Sequence, residues 1–183
     1  RFESASSEPE EMTALGNSVV FRANNGVSGA ELWVSDGSEA GTVLLTDIRL
    51  GGSGSDPSGF TRVGSTIYFR ADDGTNGSEL WKTDGTGAGT AFVKDLELGV
   101  EGSGPTDFVE LGGSIIFTAF TETTGRELWR TDGTGPGTTM ITELVDGVVS
   151  GIFSTNQTLF STGSMVLFQG DEGATGGGVP FGE

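Results

Sequence analysis

The chain has no cysteine and no histidine among its 183 residues, and only 9 Lys and Arg stand against 26 Asp and Glu. Without those two residue types there is no thiol nucleophile, no disulfide, no common zinc ligand set and no imidazole for a Ser-His-Asp arrangement. The resulting net charge of −17 repels nucleic acid and anionic membrane surfaces, so neither is expected as a partner. No apolar run approaches the ~18 residues needed to cross a bilayer as a helix. The chain opens on Arg1 without a charged-then-apolar leader, so it reads as a mature or excerpted segment. No helix of ten residues with a 3.6 period is found.

Glycine, in contrast, is abundant, with 33 copies. Leu, Ile, Val and Phe make up about a quarter of the residues, above the ~20% below which chains stay disordered. A folded chain with many turns is therefore expected.

Internal repetition accounts for the turns. Glu31-Leu32-Trp33 recurs as Glu79-Leu80-Trp81 and Glu127-Leu128-Trp129, each 48 residues after the last. The full strings are ELWVSDGSEAGT, ELWKTDGTGAGT and ELWRTDGTGPGT. Upstream, the segment from Gly16 to Phe21 matches Gly64 to Phe69 and Gly112 to Phe117, and a fourth copy, Gly163 to Phe168, follows 51 residues later. Three extra residues therefore fall between Val148 and Thr158. Pro9, Pro57 and Pro105 are equivalent, which sets the phase. The units expected are 1–8 as the tail of a preceding repeat, 9–56, 57–104 and 105–155 as whole repeats, and 156–183 as the first half of a fourth.

Each unit reads as four short strands, placed in the second copy at Phe60 to Val63, Thr66 to Ala71, Glu79 to Thr83 and Thr90 to Leu96. Alternation puts Ile67, Phe69 and Ala71 on one face and Tyr68 on the other. The charge at Arg22 and Arg70 becomes Thr118 in the third copy, which suggests a rim position. Four antiparallel strands at this period signify a β-propeller blade, packed on both faces by its neighbours. The expected fold is all-β, a propeller or propeller-like array of four-stranded blades, and an incomplete piece of a larger ring.

The string ELWxxDGTxxGT resembles the hallmark of the ELWxxDGT-repeat proteins, which occur in large secreted or surface-attached proteins, many of them bacterial. Three of the four copies carry it, with Ser38 in place of Thr in the first and the third strand lost in the fourth. The resemblance implies a propeller-like fold and an extracellular setting. It implies no defined enzymatic activity and no functional residues beyond the repeat positions.

Several constellations invite chemistry. Glu31, Glu79 and Glu127 at equal radius would ring an axis and offer oxygen to Ca²⁺; alternatively each binds backbone amides or an arginine. Trp33, Trp81 and Trp129 would stack sugars or anchor one blade on the next, and the second role is the expected one. Asp36, Asp84 and Asp132 sit where a hairpin reverses. Asp72, Asp73 and Asn76 form an oxygen-rich loop, but an EF-hand needs an acid or Asn where Gly74 stands and Glu where Thr83 stands. Gly51 to Asp56 matches one GGxGxD unit, a motif that binds calcium only in tandem. The glycines at 85, 87 and 89 lack the lysine and following helix of a phosphate loop. Asn76 and Asn156 head N-x-[ST] sequons.

No catalytic residue and no cofactor is expected, with Ca²⁺ the one candidate ion. The expected function is a non-catalytic, extracellular structural or adhesive repeat module, within a surface or filamentous assembly, whose partners are flanking repeats or other chains. The alternative is a propeller that binds carbohydrate or Ca²⁺ at one site per blade.

Overall fold

The structure, a computed structural model, describes residues 6–142 and 159–167. Among these residues there are strands and turns and no helix. Three four-stranded antiparallel sheets follow one another along the chain. The first is β1 (Glu10–Leu15), β2 (Ser18–Asn24), β3 (Ala30–Ser35) and β4 (Val43–Thr46). The second is β5 (Ser58–Val63), β6 (Thr66–Asp72), β7 (Ser78–Thr83) and β8 (Ala91–Lys94). The third is β9 (Thr106–Leu111), β10 (Ser114–Thr121), β11 (Gly125–Thr131) and β12 (Thr139–Thr142). A two-stranded sheet of β13 (Phe160–Ser161) and β14 (Val166–Leu167) completes the described chain. In every four-stranded sheet the spatial order equals the chain order.

Consecutive sheets pack face to face, and their first strands run alongside one another, β1 against β5, β5 against β9 and β9 against β13. Each sheet has a leading face, turned toward the sheet before it, and a trailing face, turned toward the sheet after it. Alternation along the second strand divides the two. Ile67, Phe69 and Ala71 face back into a core with Val20, Leu15, Leu32 and Val34 of the first sheet, while Tyr68 faces forward into a core with Ile115, Phe117 and Ala119 of the third. The third core joins Ile116 and Leu128 to Leu159 and Val166. A sheet buried on both faces explains why these strands carry so few charges. Aromatic rings gather on the leading faces: Phe60 meets Phe69 edge-on at 5.4 Å, and Phe108 stacks on Phe117 at 5.6 Å.

The first strand of every sheet is bulged. Register slips between Glu10 and Thr13, between Ser58 and Thr61, and opposite Ile116 and Thr118. The bulge places two backbone positions per repeat at positive φ: Glu8 and Glu11, Asp56 and Gly59, Gly104 and Asp107. This is why the strand expected to start at Phe60 begins at Ser58, since Ser58 pairs with Arg70 beyond the irregular residue. The fourth strand is shorter than its sequence expectation, spanning Ala91–Lys94, because the residues on either side are engaged elsewhere. The three-residue insertion between 148 and 158 and Asn156 lie outside the described residues.

Candidate functional site

The repeated signature ELWxxDGTxxGT occupies the third strand and the turn into the fourth. Its letters divide into a buried carboxylate, an aromatic anchor and a turn.

The glutamates come first. Glu31, Glu79 and Glu127 are completely buried. Glu31 lies in β3 and accepts hydrogen bonds from the amides of Ile48 (3.1 Å) and Arg49 (3.2 Å) and from the Ser55 hydroxyl (2.6 Å). Glu79 repeats this in β7, accepting from the amides of Glu97 (3.2 Å) and Ser103 (2.6 Å) and from the Ser103 hydroxyl (2.6 Å). Glu31 and Glu79 thus each gather the loop that runs from the fourth strand of their own sheet to the first strand of the next. Burial pushes the carboxyls of Glu31 and Glu79 above the usual carboxylate range, and the donated bonds only partly offset it.

The serine in this lock faces two ways. The Ser55 hydroxyl holds Glu31, while its carbonyl accepts from the Asp72 amide of the second sheet at 2.9 Å. The Ser103 carbonyl likewise accepts from the Phe120 amide of the third sheet at 2.8 Å. Backbones approach closely here through glycine pairs. A β-carbon on Gly29 would strike the backbone of Gly54, and one on Gly77 would strike that of Gly102. Sequence reasoning missed both serines; the signal was their constant 24-residue offset from the glutamates.

The tryptophans pair across the sheet with the leading-face phenylalanines: Trp33 with Phe21, Trp81 with Phe69, Trp129 with Phe117. Trp81 packs on the first inter-sheet core and Trp129 on the second. Trp81 also meets Phe92 edge-on at 5.5 Å. Among the described residues no acceptor meets the buried indole nitrogens of the three.

The aspartates build the turn. Asp84 Oδ1 accepts from the Thr86 amide (2.9 Å) and hydroxyl (2.7 Å). Thr86 Oγ1 in turn accepts from the Gly89 amide (2.9 Å), and the Thr90 hydroxyl donates to the Thr86 carbonyl (2.8 Å). Asp36 with Ser38 and Asp132 with Thr134 repeat the bonds at matching distances. The hydroxyl of Ser38 or Thr134 holds the Asp carboxyl below its usual range in those two copies, as that of Thr86 does for Asp84. The first glycine of the turn stands at φ 90°, 87° and 89° in the three copies, where side chains are strained. The last glycine is needed for space: a β-carbon on Gly41, Gly89 or Gly137 would run into the carboxylate of Asp36, Asp84 or Asp132.

The loop at Asp72, Asp73 and Asn76 spends its oxygens internally. Asp72 pairs with Arg49 of the preceding loop at 2.6 Å and accepts from the Gly74 amide at 2.7 Å. Asp73 accepts from the amides of Thr75 and Asn76 and from the Asn76 side chain, all at 2.8 Å. Burial raises the Asp73 pKa, but these bonds outweigh it and the group titrates below the usual range. Among the described residues no group of three or more acidic side chains stands together to hold a metal ion.

One expectation needs refinement. The position of Arg22 and Arg70 is half-buried, and in the third sheet Thr118 is buried there. Arg126, from the neighbouring strand β11, donates to the Thr118 hydroxyl (3.2 Å) and to the Gly104 carbonyl (3.2 Å). Burial lowers its pKa from the ordinary arginine value. The guanidinium reaches this region from a different strand.

No family model matches the chain, and no curated protein matches it. Among solved structures, the chain is similar to the computationally designed Ika8 protein, at 18% identity and a TM-score of 0.44, over 88% of this chain and 42% of that one. It is also similar to a chain from a structural and mechanistic study of two prolyl endopeptidases, at 14% identity and a TM-score of 0.51, over 86% of this chain and 23% of that one. The chain therefore spans less than half the length of either. At such identity the second likeness is one of fold, and it agrees with an all-β chain of successive antiparallel sheets.

Proposed function

We propose that the chain is a non-catalytic β-propeller segment of the ELWxxDGT-repeat kind, with a structural or adhesive role outside the cell. The blades are the successive sheets, fanned about their adjacent first strands β1, β5, β9 and β13. One observation carries the functional reading: the repeated residues are used to hold the fold. Glu31 and Glu79 bind loop amides, Trp81 and Trp129 pack between sheets, and the aspartates, threonines and glycines close the turn. Side chains committed in this way are poor candidates for a site that must exchange ligands. The extracellular setting follows from the resemblance of the signature strings.

The test is a binding and turnover survey on the purified chain. Isothermal calorimetry with Ca²⁺ and a glycan array are expected to give flat responses, and a panel of glycoside and ester substrates no turnover. Binding of about one ligand per repeat, or hydrolysis abolished by a single carboxylate substitution, would overturn the proposal.

A further inference from the structure

The hairpins between second and third strands hold two Asn-Gly pairs, Asn25-Gly26 in the first sheet and Asn76-Gly77 in the second. Such a pair is chemically labile, because glycine has no side chain to hinder attack of its own amide on the asparagine side chain. The two pairs sit at different positions of the hairpin and in opposite surroundings.

Asn25 holds the position that Asp73 fills in the second repeat and Thr121 in the third. At all three, a side-chain oxygen accepts from the amide three residues on, at 2.8 Å from Ser28, 2.8 Å from Asn76 and 3.2 Å from Thr124. Asn25 Oδ1 also accepts from the Val27 amide at 2.8 Å. Two donors therefore converge on the oxygen that gathers negative charge when the following amide attacks Cγ, and they stabilise that intermediate as an oxyanion hole does. Asn25 and Gly26 are both exposed, and a β-carbon built on Gly26 would have nothing within 4 Å. The Gly26 amide donates to the exposed Asn24 side chain at 2.8 Å, a bond that water can replace.

Asn76 differs on each count. It is half-buried, and its Nδ2, the leaving group, donates to Asp73 Oδ2 at 2.8 Å. Gly77 is buried, with its backbone pressed on that of residues 100–102. A five-membered ring cannot close there unless the hairpin first opens away from that loop.

We infer that Asn25 is a site of spontaneous deamidation in the folded chain, that Asn76 is protected, and that the aspartate formed takes the role Asp73 has in the next repeat. In the first step the Gly26 nitrogen bonds to Asn25 Cγ and the Cγ–Nδ2 bond breaks. Nδ2 leaves as ammonia, and the proton lost by the Gly26 amide is made good on it through solvent. Water then opens the succinimide, at Cγ to give aspartate or at the main-chain carbonyl to give isoaspartate. The aspartate keeps the acceptor oxygen for Val27 and Ser28 and makes both bonds charge-assisted. This inference is independent of the scaffold reading.

Peptide mapping by mass spectrometry tests it, on chain produced in bacteria so that the Asn76 sequon carries no glycan. Samples are held in mildly alkaline buffer, folded and in concentrated urea. In urea both pairs are expected to convert at comparable rates. In the folded chain Asn25 should convert while Asn76 lags by about tenfold or more, since it reacts only through local opening. Asn25 that stays intact in the folded chain while it converts in urea overturns the inference, as does Asn76 keeping pace with Asn25. The Asn25→Asp variant should melt at or above the wild-type temperature, and a lower melting temperature overturns the role assigned to the product. None of these outcomes bears on the scaffold reading, which ligand binding or turnover in the survey above would overturn.

Discussion

Replacing Glu79 probes one of the three completely buried glutamates. The side chain is fully buried and receives two amides and one hydroxyl. Glu79→Ala leaves these donors unpaired in a dry site, and each unpaired donor costs about 1–3 kcal/mol. Water entering the vacated space recovers part of that, so a net loss of about 3–5 kcal/mol is expected. Glu79→Gln keeps one oxygen for the two amides and turns an NH₂ toward the Ser103 hydroxyl, which can accept it. The loss should then be about 1–2 kcal/mol. The variants should also differ in pH dependence. The folded-state pKa of Glu79 lies above its ordinary value of 4.5, so the folded chain holds the proton more tightly than the unfolded chain. Its stabilising contribution is complete below pH 4.5 and declines as the pH rises through the raised pKa. Urea unfolding of wild type and Glu79→Gln between pH 4 and 8 should show wild-type stability falling with pH. The variant should fall less steeply, because one raised carboxyl is removed while Glu31 and Asp95 keep theirs. At the acid end, Asp36, Asp84 and Asp132 have lowered pKa values, so their contribution is lost as the pH drops below about 3.8. Stability should therefore peak on the acid side of neutrality. Parallel pH profiles for wild type and Glu79→Gln, or a Glu79→Ala loss under 0.5 kcal/mol, would refute the reasoning.

Three further outcomes follow from single contacts. Gly89→Ala should destabilise by about 2 kcal/mol through collision with the Asp84 carboxylate, and Asp84→Ala in the same chain should remove much of that penalty, giving a strongly non-additive cycle in thermal melts. Asp56→Gly should raise stability by about 1 kcal/mol, since Asp56 sits at φ 48° where the next repeat has Gly104, and the Arg22 ion pair it gives up is exposed and long at 3.6 Å. Trp81→Phe should cost about 1–2 kcal/mol, since the smaller ring leaves part of the volume that Trp81 fills against the first inter-sheet core and Phe92 empty; a loss under 0.5 kcal/mol by urea unfolding would refute this packing role.

The sheets were legible because two periods coincide in the sequence. The 48-residue repeat marks the units, and alternation within Ile67 to Ala71 separates the two faces, as the cores on either side show. The bulge in the first strand was illegible from any single copy: glutamate at 11, glycine at 59 and aspartate at 107 share one backbone conformation but no side-chain chemistry. The end of the fourth strand was misplaced for a related reason. Thr90 reads as a β-former but bonds back into the turn, and Glu97 is drawn to a carboxylate 18 residues upstream. Such long-range polar bonds leave no periodic trace. The Arg126 substitution for Arg22 and Arg70 is likewise invisible to an alignment of equivalent positions, since it arrives from the adjacent strand.

The position of the glutamate–serine lock has a consequence for how the molecule comes apart. Ser55 and Ser103 are bonded to one sheet through the hydroxyl and to the next through the carbonyl. The energy of the lock therefore belongs to the coupling between neighbours and not to the intrinsic stability of either unit. In a linear array, sharpness of melting is governed by that coupling term. Weakening the lock should thus broaden the transition and let units unfold one at a time, whereas a lesion inside a turn should lower the midpoint and leave the transition steep.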